Sequence, residues 1–133
     1  MREIKTIIIH HSGNTDTVDS IRNLHININK WDDIGYHFII SKDGDLTKGR
    51  GLDIVGAHVK YFNKDSIGVC LLGNFDKENI KEKQLNALKN LTNNLMKEFG
   101  LTKENIKFHR DFPNVTKSCP GNNIDKDLIL KFI

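Results

Sequence analysis

An imidazole, a primary amine and a thiol fall within eleven residues of this chain, in His109-Arg-Asp-Phe-Pro-Asn-Val-Thr-Lys-Ser-Cys119-Pro-Gly. Imidazole nitrogen and thiolate sulfur are the donors Zn²⁺ prefers, at about 2.0–2.1 and 2.3 Å. The spacing is too long for a zinc-finger knuckle and suits a loop that leaves a strand at His109 and returns at Cys119. Two donors do not make a site. The best candidate for a third is His10, at the end of the apolar run Ile-Lys-Thr-Ile-Ile-Ile-His-His. With His11 beside it, chemistry alone leaves open which of the two binds, although strand alternation sends them to opposite faces and only one can face a metal. Three protein ligands with an open fourth position is the arrangement of a catalytic zinc, whereas a structural zinc is closed by four.

The elements that must hold these groups follow from hydrophobic period and turn chemistry. Residues 4–10 are apolar on both faces and predict a strand inside a sheet. Gly13 and Asn14 turn the chain, and Thr17 caps a helix over 17–28 with Val18, Ile21, Leu24 or His25, and Ile28 on one face. Asn27, Asn29 and Lys30 end it before Trp31. A second strand over 35–41 carries Tyr36, with Phe38 and Ile40 as its same-face neighbours and His37 pointing away. Lys42-Asp-Gly-Asp45 is a hairpin turn, and a third strand over 46–50 pairs back. Residues 51–65 have no sustained period and predict an ordered loop near the site. Residues 66–72 are another buried strand, stopped by Gly73-Asn74.

The clearest helix covers about 80–99, where Leu85, Leu88, Leu91, Leu95, Met96 and Phe99 keep a 3.6-residue stripe and Gly100 is the natural stop. Asn79 with Glu82 offers a capping box at its start. A short strand over 105–108 delivers His109, and a last helix runs from about 124. Strands alternating with helices around one hairpin predict an α/β single domain, a central mixed β-sheet of about five strands flanked by helices.

The 133 residues are enough for one core without staples. A formal charge of +3 with lysines scattered among acids favours approach to a polyanionic surface but gives no nucleic-acid footprint. Met-Arg-Glu-Ile-Lys places charge where a signal peptide needs its apolar run, and no stretch approaches the ~20 apolar residues of a membrane span. The expected location is therefore the cytosol, with no membrane partner. Two cysteines in such a chain read as thiols, not a disulfide. Cys70, in Ile-Gly-Val-Cys-Leu-Leu, reads as a small buried hydrophobe; Cys119, flanked by Lys, Ser and Pro-Gly, does not.

Five motifs occur in a telling order: Ile-Ile-Ile-His10-His-Ser, Trp31-Asp-Asp-Ile-Gly-Tyr36-His-Phe-Ile-Ile-Ser-Lys-Asp-Gly, Gly56-Ala-His58, Asn63-Lys-Asp-Ser-Ile-Gly-Val, and His109 through Thr-Lys117-Ser-Cys119-Pro. Together they resemble the zinc-dependent N-acetylmuramoyl-L-alanine amidases of the type-2 amidase family, nearest to the short phage lysozyme-amidases, with peptidoglycan-recognition proteins as more distant relatives. The resemblance implies one Zn²⁺ per chain held by His10, His109 and Cys119, with Tyr36 as the catalytic tyrosine and Lys117 as the lysine that assists it. It places His25, His58 and Asn63 where relatives contact the peptide stem or sugar. For Arg50, in Lys-Gly-Arg, a substrate contact and a packing role both stay open. The family usually has Arg-Gly before the Trp where this chain has Asn29-Lys30, and the His109–Cys119 loop is slightly longer than in its nearest members.

What the resemblance implies is hydrolysis of the bond between N-acetylmuramic acid and L-alanine in bacterial peptidoglycan, by a monomeric single domain over 1–133 without a separate wall-binding module, kept inside the producing cell until its membrane is breached. A module that binds muropeptide without cutting it is the alternative. Non-catalytic relatives lose the thiolate ligand or the tyrosine, and both are present here. Some phage relatives also bind an RNA polymerase, a partner on which this sequence is silent.

Overall fold

The computed structural model describes residues 2–13, 17–113, 115 and 117–133. Five strands form: β1 (Thr6–His11), β2 (Phe38–Ile40), β3 (Leu46–Lys48), β4 (Ser66–Leu71) and β5 (Ile106–Phe108). They lie side by side in the order β3-β2-β4-β1-β5. β4 pairs in parallel with β1 and β2, β5 pairs in parallel with β1, and the β2–β3 hairpin alone is antiparallel. This is the mixed five-stranded sheet that the alternation of elements predicts. β1 and β4 have partners on both edges and cover on both faces, which is why their sequences are unbroken apolar runs.

One face of the sheet carries the main core. Ile7, Ile9, Phe38, Ile40, Ile67, Val69 and Leu71 meet Leu88, Leu91 and Leu95 of α2 (Glu82–Phe99) and Ile129 of α3 (Lys126–Phe132). The stripe predicted for α2 is the face that is buried, and Gly100, at φ 65°, ends the helix in the left-handed conformation that glycine adopts without strain. The capping box expected at Asn79 and Glu82 does not form. The helix starts two residues later, with Lys81 at the cap and no side-chain bond to it. Gln84 accounts for the shift: its buried amide donates to the carbonyls of Ile40 and Leu72, pinning the first turn to the ends of two strands.

The opposite face is smaller and polar at one end. Ile39, Cys70 and Leu72 pack there with Ile34 and with Ile21 of α1 (Val18–Asn23). Thr17 caps α1 as predicted, accepting from Ser20 N–H while the Ser20 hydroxyl accepts from Thr17 N–H. The helix does not continue regularly to residue 28. Residues Leu24–Ile28 form a π-helical turn in which Asn29 N–H reaches the Leu24 carbonyl. A wider turn advances fewer degrees per residue, so the predicted stripe drifts. His25 stays buried, and Ile28 is left 65% exposed.

The turn expected at Gly13 and Asn14 falls partly outside the described residues. Residues 51–65 are an ordered loop without strand or helix, as expected. Among the described residues, no helix is long and apolar enough to cross a membrane.

Candidate metal centre and active site

His10 lies at the C-terminal end of β1, on the smaller face of the sheet, opposite Cys70 in register. Phe108, the last residue of β5, pairs with Ile9, so His109 emerges next to His10. Cys119 is returned to the same place by its own backbone and by two side chains. Its carbonyl accepts from Arg110 N–H at 2.9 Å. The Arg110 guanidinium donates to the carbonyls of Ser118, Gly121 and Ile124. From the other side, Asp76 accepts from the Ser118 hydroxyl and from Asn122 N–H, both at 2.7 Å. Thus a cation and an anion bracket Cys119 in sequence and hold its loop against the sheet.

The three donors converge. His10 Nδ1 is 3.2 Å from His109 Nδ1 and 3.9 Å from Cys119 Sγ, and all three ligand atoms lie within 4.8 Å of one another. A tetrahedral zinc at the usual bond lengths sets two nitrogens about 3.3 Å apart and a nitrogen and a sulfur about 3.6 Å apart. The donor set and its spacing fit that ion. His11 faces the other way: its Nδ1 accepts from Phe75 N–H, while its backbone N–H points at Cys119 Sγ. Of the two adjacent histidines, it is His10 that joins the cluster.

Burial sets the protonation states. It holds His10 well below the ordinary histidine range, helped by His58 and His109, and it lowers His109 with Lys117 adding to the effect. Both rings are therefore neutral near pH 7, as metal ligands must be. Burial pushes the Cys119 thiol up to about 11, against the opposing pull of the His11 N–H, Lys117 and Arg110. A divalent cation in the cluster reverses that balance, because coordination deprotonates a thiol outright. Cys119, whose polar flanks do not mark it as a buried hydrophobe, is nonetheless only 8% exposed, because Arg110 and Asp76 draw its polar loop inward.

These donors line an open cleft of about 310 Å³ together with Tyr36, His58 and the exposed Lys117. The Tyr36 ring centre is 5.3 Å from that of His10. Burial raises the phenol well above its ordinary range, with Cys70 and Cys119 adding to the effect, so it stays protonated. Tyr36 is not on the face of Phe38 and Ile40, as alternation within one strand predicted. It packs with Ile39 and Cys70 instead. The ladder is irregular just before β2: the consecutive carbonyls of Tyr36 and His37 both accept from the segment that follows β3, from Arg50 N–H and Gly49 N–H. In a regular antiparallel pair such bonds fall on alternate residues, so the irregularity breaks the two-residue period and turns Tyr36 to the cleft.

Residues 1–122 match the family described as N-acetylmuramoyl-L-alanine amidase. The chain belongs to this family. Among the amidases and their relatives, the endolysin of Klebsiella phage KP32 is 35% identical over 134 residues, covering 94% of this chain and 85% of that protein. Peptidoglycan-recognition protein SC1a of Drosophila melanogaster is 31% identical, covering 88% of this chain and 68% of its own. In three dimensions, the N-acetylmuramoyl-L-alanine amidase LysC from Clostridium intestinale URNW superposes with a TM-score of 0.87 at 33% identity, covering 96% of this chain and 83% of that one.

The family resemblance also drew attention to His25, His58, Asn63 and Arg50, and the structure ties each to the protein's own atoms. His25 is buried; its Nδ1 accepts from Gly35 N–H, and its ring lies 4.6 Å from Trp31 and 5.7 Å from Tyr36. Arg50 is a clamp, with its guanidinium on the carbonyls of Ile34, Val55 and Asp33. Asn63 Oδ1 accepts from both His58 N–H and Val59 N–H, closing the loop that carries His58. His58 itself bridges His10 Nε2, at 2.8 Å, and Ser66 Oγ, at 3.3 Å. Ser66, Arg110 and Asp76 escaped the sequence reading. Their partners lie 4 to 46 residues away, and no local sequence pattern marks them.

Asn63→Ala leaves two backbone donors of the loop without their acceptor. The variant is expected to lose about 1–3 kcal/mol of folding stability in urea titration. A raised KM on muropeptide with unchanged stability would instead put Asn63 against the substrate.

Proposed function

We propose that this amidase is zinc-dependent and hydrolyses the amide bond between the lactyl group of N-acetylmuramic acid and L-alanine of the peptidoglycan stem. The observation that carries the proposal is the convergence of His10 Nδ1, His109 Nδ1 and Cys119 Sγ in one open cleft, with Tyr36 and Lys117 on its walls. Held there by His10, His109 and Cys119, zinc would supply a Lewis acid that polarises the scissile carbonyl and brings the pKa of water down to about 7. Lys117 places its ammonium toward the negative charge that grows on the carbonyl oxygen in the transition state. Tyr36, kept as a neutral phenol, orients the attacking water and relays its proton toward the departing amine. Next to the cleft, Trp31, His58 and Asn63 line a second cavity of about 300 Å³. We assign the stem peptide to that wall, against Trp31 and His58, with Asn63 holding the loop that carries His58 and His25 supporting Trp31.

Purified cell wall incubated with the protein is expected to gain new N-terminal alanine and no new reducing sugar. Chelator should abolish the gain and added zinc restore it. New reducing ends would make the enzyme a glycosidase. Wall binding without new ends of either kind would leave a recognition module.

A further inference from the structure

We propose that Ser66 and His58 form a hydrogen-bond relay that fixes the proton of His10 on Nε2 and so leaves its Nδ1 bare toward the metal. The proposal rests on the zinc reading above and concerns residues that reach the metal only through His10. Its logic is one of donors and acceptors. The Phe62 carbonyl can only accept, and the Ser66 hydroxyl gives it its single proton at 2.8 Å. Ser66 Oγ can then only accept in its contact with His58 Nε2, which places the His58 proton on that nitrogen. His58 Nδ1 is left as an acceptor 2.8 Å from His10 Nε2, which must donate. The remaining nitrogen of His10, Nδ1, is the one facing His109 Nδ1 and Cys119 Sγ. A main-chain carbonyl thus dictates the tautomer of a metal ligand three hydrogen bonds away.

The surroundings protect the relay. Ser66 is fully buried and His10 is 1% exposed, so the two ends of the relay are shielded from water, with His58 half-buried between them. The His58 ring lies against the backbone of β4 at Gly68, where an added Cβ would come within 2.6 Å of Cγ and Cδ2. Gly56 leaves the same clearance on another side, its Cβ position falling 2.6 Å from His58 Cδ2. Metal-bound histidines commonly have their second N–H held by a carboxylate or a main-chain carbonyl, and losing such a partner typically lowers metal affinity 10–100-fold. Here a second histidine takes that place.

Two measurements test the relay. Long-range ¹H–¹⁵N correlation spectra of the metal-free wild-type protein read the tautomers directly, and His10 and His58 are both expected with the proton on Nε2. A His58 ring protonated on Nδ1 overturns the proposal. The second compares His58→Asn with His58→Leu, side chains of nearly equal shape of which only asparagine keeps an acceptor facing His10. Zinc affinity by chelator competition should fall 10–100-fold in the leucine variant and be largely recovered in the asparagine variant. Equal affinities in the two would show a role in packing alone and sink the relay. Wild-type protein that takes up no zinc would sink the metal reading as well, so the two failures are distinguishable.

Discussion

Cys119→Ser is expected to fold, to lose its metal and to expose no new N-terminal alanine in peptidoglycan. A serine hydroxyl is a harder donor that stays protonated where the thiol ionises on coordination, so it replaces a charged soft ligand with a neutral one. Affinity should fall on the order of a hundredfold or more, since structural zinc sites gain about 10–16 kcal/mol over four ligands. Folding should survive because the loop is held by Arg110 and Asp76 through Ser118, Gly121, Asn122 and Ile124, not by the sulfur. The measurement is bound zinc per chain after dialysis against chelator, with circular dichroism as the control for fold. Full zinc stoichiometry in the serine variant would remove Cys119 from the ligand set.

Lys117→Ala and Tyr36→Phe should do the opposite: keep one zinc and lose turnover. Lys117 is exposed on the cleft wall, so its removal leaves no hole in the core. If its ammonium acts on charge that exists only in the transition state, the loss falls on kcat, about 10²–10³-fold, with KM nearly unchanged. Tyr36→Phe keeps the ring packed beside His10 and removes only the hydroxyl, so the expected 10²–10⁴-fold loss in kcat reports on proton handling alone. Wild-type turnover by Lys117→Ala would take the lysine out of the mechanism. An equal rise in KM for either variant would move that residue to substrate binding.

The parts of this molecule that were legible in its sequence are those in which local pattern and tertiary role agree. β1 and β4 are apolar throughout because they are buried throughout, and the α2 stripe is the face that packs. His10, His109 and Cys119 stood out because few residue types can ligate zinc, and the structure does bring them together. Where the reading failed, a distant contact or a local irregularity of the backbone had overruled a regular period. Gln84 reset the start of α2 from two strand ends, a π-helical turn rotated Ile28 into solvent, and an irregular ladder moved Tyr36 to the cleft face. The carbonyl–serine–histidine chain behind His10 spans 48 residues between its two rings and leaves no local trace.

The order of strands also has a consequence for how the molecule is made. β1 leaves the ribosome first, yet its partners are β4 and β5, and its His10 meets a histidine 99 positions and a cysteine 109 positions further along. Pairings this remote in sequence close late and slowly. A nascent chain that has emerged only as far as α2 has one of the three donors, an open edge where β5 belongs, and no means of gripping a metal. The three-donor cluster is thus withheld until synthesis has passed Cys119, and a chain truncated before β5 carries His10 without its two partners.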